Sequence, residues 1–110
     1  AIENSNENVK NNLFVHDAGN QYPFENNEFD LVFSLATLHN LKINKLFTSL
    51  NEINRVSKSS YLMVESYRNN EELFNLQCWA LTAECFFDRD EWIWIFKQSE
   101  YTGDYEFIYF

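Results

Sequence analysis

Two glycines in 110 residues leave this chain little backbone that can turn left-handed without strain. A nucleotide site built on tight glycine turns draws on several, so the composition argues against a self-contained one. Cysteine is equally scarce, with Cys78 and Cys85 at i, i+7. That spacing is a poor match to common metal sets and is too long for a disulfide across one helix. Both thiols read as small core residues of an apolar helix. Basic residues are few: 8 Lys and Arg against 17 Asp and Glu give a net charge of −9. That balance opposes binding to nucleic-acid phosphates and attraction to anionic membranes. No apolar run approaches the roughly 20 residues that span a bilayer. The start, AIENSNENVKNN, lacks the basic and apolar segments of a signal peptide. The expectation is a cytoplasmic protein with no nucleic-acid and no membrane partner.

Aromatic residues, by contrast, make up 18% of the chain. Side chains that bury so much area each require a deep interior or a cleft. The length suits one domain with a single core, and no repeat or low-complexity linker divides it. Residues 1–12 are polar and Asn-rich and read as a frayed connection. Leu13-Phe14-Val15 fits a short buried parallel strand. A turn follows at His16–Asn20, where Gly19 is free to take a positive φ. Pro23 and the polar run Glu25–Glu28 form a solvated loop. Phe29–Phe33 is the strongest strand, and its continuous apolar run predicts burial on both faces. Leu46, Phe47, Leu50, Ile53 and Val56 mark one side of a helix between Asn44 and Ser57. Tyr61–Val64 is the next buried strand, which completes a βαβ unit. The stripe Leu73, Leu76, Ala80, Ala83 and Phe87 predicts a helix over Glu71–Phe87. Asp88 and Glu91 resemble a capping box that opens another helix, with Trp92, Ile95, Phe96 and Ser99 inside. Gly103 precedes a last strand, Tyr105–Phe110.

Several of these segments, taken in order, resemble one known family. Asp17-Ala18 with Tyr22-Pro23-Phe24 is similar to the turn after the third strand of class I (Rossmann-like) methyltransferases that use S-adenosylmethionine (SAM). Phe29-Asp30-Leu31-Val32 and Leu38-His39-Asn40-Leu41 resemble the family's fourth strand and crossing. Glu52-Ile53-Asn54-Arg55-Val56-Ser57-Lys58 is similar to its E-x-x-R-V-x-K pattern, with Ser59-Ser60 where Pro-Gly-Gly is usual. Glu91-Trp92 through Tyr101–Tyr105 resembles the late helix and the turn before the sixth strand. The resemblance covers residues 13–110.

It implies an α/β, three-layer Rossmann-like methyltransferase fold, truncated at the N-terminus and at the C-terminus. Residues 1–110 would then be a partial methyltransferase domain, from third to sixth strand, lacking the glycine-rich SAM motif. Ala1 in place of Met, and a strand-like run at the other end, agree with that expectation. By position, Asp17 would accept a hydrogen bond from the adenine amino group of SAM, and the Ala18 N–H would meet a ring nitrogen. The alternative is that Asp17 bonds its own turn. Ser34, Leu35 and Ala36 would run along the methionine portion of SAM, or form a plain loop. His39, Glu65 and Trp79 are implied to meet a small-molecule methyl acceptor, with Trp79 and Phe86 as a lid; local packing is the alternative for each. No residue is singled out as catalytic. No metal is expected, since Cys78, Cys85, His16 and His39 are too few at suitable spacings. The implied function is that of a fragment of a SAM-dependent methyltransferase whose active form requires a missing N-terminal half. A non-enzymatic, methyltransferase-like interaction module, pairing with a partner chain through an open sheet edge or aromatic surface, is the competing expectation.

Overall fold

β-branched and aromatic side chains at Phe29–Leu35 and Ser57–Ser66 form two strands, β1 and β2, in the computed structural model, which describes residues 2–110. They pair in parallel with Phe33 opposite Tyr61 and Leu35 opposite Met63. A third strand, β3 (Asp104–Tyr109), pairs in parallel on the other side of β2, with Leu62 opposite Tyr105 and Val64 opposite Phe107. Because side chains alternate across a strand, this register gathers Val32, Leu62, Val64 and Phe107 on one face.

Three α-helices reach the sheet or its ends. A short α1 (Glu7–Lys10) and a 3-10 turn (Ile2–Asn4) precede them where the sequence suggests a frayed connection. Helix α2 (Ile43–Val56) buries Leu46, Leu50, Ile53 and Val56, as its one-sided spacing requires. Helix α4 (Arg89–Gln98) opens on the expected capping box, with Glu91 N–H donating to Asp88 Oδ1 and Asp88 N–H donating to Glu91 Oε1. Its Trp92, Ile95 and Phe96 join Leu46, Leu50, Leu62 and Val64 in one core. Helix α3 (Asn70–Trp79) is tied to the far end of the sheet, where Asn75 Nδ2 donates to Phe110 O. A parallel sheet with helical crossings is the α/β, Rossmann-like architecture that the resemblance implies.

Four local expectations are corrected. Leu13–Val15 joins no ladder, and all three side chains are exposed. A strand forms only against a neighbour, and Phe14 instead packs edge-on against Phe24, centroids 5.6 Å apart. Burial on both faces of β1 also fails: Leu31 and Phe33 are about 60% exposed, since α2 and α4 share the opposite face. The helix expected over Glu71–Phe87 stops at Trp79. Tertiary hydrogen bonds claim the next residues, with Glu84 and Cys85 N–H both donating to His39 O, and such contacts override a periodic stripe. Cys78 is exposed while Cys85 is buried, so only one thiol is a core residue. Burial pushes the Cys85 thiol up from its ordinary pKa.

Candidate functional site

Parallel strands deliver their carboxyl ends to one edge of the sheet, and ligands of open α/β sheets bind outside that edge. Here β1 ends in Ser34 and Leu35, and Ala36 follows with φ 53°. A left-handed alanine costs roughly 1–2 kcal/mol; the turn is held by Ala36 N–H to Met63 O at 2.9 Å and by Ser34 Oγ to Thr37 Oγ1 at 2.7 Å. The chain then makes a 3-10 turn, Leu38–Asn40, with Leu38 and His39 buried.

His39 is fixed from both ends. Its carbonyl accepts from Glu84 and Cys85 N–H, and its ring Nδ1 lies 2.7 Å from Glu65 Oε2. Glu65 sits at the carboxyl end of β2 with a side chain 1% exposed. Its main-chain carbonyl accepts from Trp92 Nε1 at 3.0 Å, so the core helix α4 sets the strand position that carries the carboxylate. Trp79 ends α3 with its ring 5.8 Å from that of His39 and stacked on Phe110 at 4.6 Å. Ala36, His39, Asn40, Trp79 and Leu81 line a cavity of about 390 Å³. Thr82 Oγ1 donates to Asn40 Oδ1 at 2.7 Å and stitches the irregular segment after α3 to this wall.

The structure therefore brings together Ala36, His39 and Trp79, with Glu65 directly behind His39. Ser34 and Leu35 lead into the cavity but do not line it. Phe86 is half-buried and is not part of the wall. Asp17 and Ala18 lie apart, exposed in a turn whose next residue, Gly19, packs on α2. Asp17 Oδ1 accepts from Gly19 N–H at 2.8 Å, the self-bonded turn that was its alternative. Gly19 has no positive φ; a Cβ there would come within 2.8 Å of Lys45 Cβ, so glycine serves close approach instead.

Two contributions are absent from the sequence reading. Glu52 and Arg55 form a latch: Arg55 Nε donates to Glu52 Oε2 at 2.6 Å, while its Nη groups donate to Tyr22 O and Phe24 O. Tyr22 N–H completes the latch on Glu52 Oε1 at 2.7 Å. The Arg55 hydrogen bond holds the Glu52 carboxyl below its ordinary pKa, against the opposing pull of burial. The i, i+3 spacing of these opposite charges was the available signal. Trp92, by contrast, carried only a core signal. Among the described residues, no group of three or more His, Cys, Asp and Glu side chains is arranged to hold a metal ion. Among them, too, no helix is long and apolar enough to cross a membrane.

A parallel α/β sheet with a lined cavity beyond the carboxyl ends of its strands defines a Rossmann-like protein. The chain belongs to the methyltransferase domain family, whose family model matches residues 1–64. That match spans Asp17, Ser34–Ala36, His39 and the latch, and supports methyl transfer as the activity. No curated protein and no solved structure matches the chain.

Proposed function

We propose that the chain is the acceptor-side part of a SAM-dependent methyltransferase acting on a small molecule. One observation carries this reading: Ala36, at the end of the segment implied to run along SAM, shares a cavity with His39 and Trp79. The strained φ of Ala36 fits a ligand clamp, because such backbone persists where surrounding structure over-determines it. Ser34–Ala36 would hold the methionine part. Asp17 would offer its second carboxylate oxygen, and Ala18 its N–H, to the adenine. When bound, SAM supplies an electrophilic sulfonium methyl. The chain's own part is orientation, with His39, backed by the buried Glu65, on one side of the cavity and Trp79 on its aromatic side. The acidic balance disfavours nucleic-acid and anionic-membrane partners, and the compartment we propose is the cytoplasm.

Calorimetric titration with SAM tests the reading, on residues 1–110 alone and joined to whatever its gene encodes upstream. Weak binding alone and at least tenfold tighter binding when joined is the expected result, with Asp17→Ala weakening it. No affinity in either form would overturn it.

A second reading, an interaction module, is favoured by the unpaired edge of β1 with Leu31, Phe33 and Leu35 exposed. Its occupant would be the β1 of a second copy, since unpaired strand edges template pairing. Sedimentation equilibrium should then show a dimer that Phe33→Lys dissociates; a monomer throughout would dismiss this reading.

A further inference from the structure

We propose that the groove between the first turn of α2 and helix α4 binds a small organic ammonium ion that carries an apolar body. The inference goes beyond methyl transfer and does not depend on it, because this groove shares no residue with the cavity of Ala36, His39 and Trp79.

The apolar part of the groove is built on the core. Ile95 is buried, and Phe87 is held edge-on against Trp92 with centroids 5.4 Å apart, so both are fixed by packing. Ile43, the first residue of α2, and Trp94 on α4 line the same groove while 48% and 55% exposed. With Asp88, Asp90 and Glu91 they enclose about 410 Å³, a volume typical of small-molecule sites. Four apolar side chains are too few for a protein interface, which buries roughly 800 Å² on each partner. A small ligand is the occupant that fits.

The rim selects its charge. Asp88 and Glu91 each spend one carboxylate oxygen on the capping box and keep the other. Neither they nor Asp90 are ion-paired among the described residues. Lys42 and Arg89, the cations nearest in sequence, do not line the groove. Burial, and then the charges of Glu91 and Asp88, push the Tyr67 phenol up from its ordinary pKa, as carboxylates without counter-charges do. Acids in the first turn of α4 offset the positive end of its dipole. That accounts for the carboxylates but not for a tryptophan left half in water one turn further on. The i, i+4 and i, i+3 spacings set Asp90 and Glu91 beside Trp94 on the helix surface. An ammonium ion is attracted both by carboxylates and by the face of an indole, and here the two attractions coincide over an apolar wall. A neutral or anionic ligand would use the wall alone.

Phenethylammonium is the probe, titrated into the ¹⁵N-labelled chain while the indole signals of its three tryptophans are followed. The Trp94 indole and the Ile95 amide should shift with a Kd of about 1 mM, in keeping with so small a ligand. The indoles of Trp92, in the core, and of Trp79, in the other cavity, should stay in place. Methylammonium keeps the charge without the ring, and 2-phenylethanol keeps the ring without the charge; each should bind about tenfold more weakly. Asp90→Asn, which leaves the capping box intact, should weaken phenethylammonium about two- to fivefold. Trp94→Leu, read at Ile95, should weaken it about three- to thirtyfold. Should that variant not fold, Asp90→Asn and the two partial ligands decide. Phenethylammonium and 2-phenylethanol binding alike, or shifts centred on Trp79, would overturn the proposal. Tighter binding of N-acetyl-lysine amide would place the ammonium on a protein and overturn it as well.

Discussion

Replacing Trp92 by Phe tests how the core and the cavity are tied together. The indole is fully buried, packs on Phe87 and Phe96 with centroids 5.4 and 5.6 Å away, and donates from Nε1 to Glu65 O. Phenylalanine keeps most of the ring contact but deletes the donor and part of the apolar volume. A buried carbonyl left short of its partner costs about 1–3 kcal/mol. Truncation in a packed core adds about 1–2 kcal/mol. The expected loss of about 2–5 kcal/mol is a large share of a domain stability of about 5–15 kcal/mol. In urea titrations followed by far-UV circular dichroism, the midpoint should fall by about 1–2 M with an unchanged slope. Trp94→Phe is the control, because that ring is 55% exposed and its loss should stay within about 0.5 kcal/mol. Matching midpoints for the two variants would refute the claim that Trp92 holds β2 through Glu65.

Gly103→Ala should destabilise by about 1–3 kcal/mol through overpacking. A Cβ there would overlap Ser60 Oγ and Tyr101 Oη, which are hydrogen-bonded to each other at 3.0 Å. An unchanged thermal midpoint would count against this. The Glu52–Arg55 latch makes a pH-dependent contribution. Arg55 lowers the folded pKa of Glu52 below the unfolded value, so the stabilisation is present above the ordinary Glu range and is lost as pH falls through the folded value. Urea midpoints measured from about pH 6 to about pH 3 should therefore drop more steeply in the wild type than in Glu52→Gln; parallel curves would contradict the latch.

Local signals carried much of this protein. The apolar run at Phe29 and the spacing of Leu46, Leu50 and Ile53 belong to β1 and α2, because periodicity reports which side a backbone element buries. Asp88 and Glu91 marked the start of α4 within the residue, since a capping box is a bond between near neighbours. The resemblance implied a shared acceptor site for His39, Glu65 and Trp79, but not the contacts that join them. That Glu65 stands behind His39, and that the segment after Trp79 abandons the helix to bond His39 and Asn40, depends on contacts across 26 and 42 positions of sequence. Leu13–Val15 was misleading for the same reason, as a strand exists only where a neighbour accepts its hydrogen bonds. Sequence by itself determined α2, α4 with its capping box, and the order of β1, β2 and β3 along the chain. Only the tertiary structure decided which strands pair, which face is covered and which polar groups share a cavity, because those are long-range contacts that no local pattern encodes.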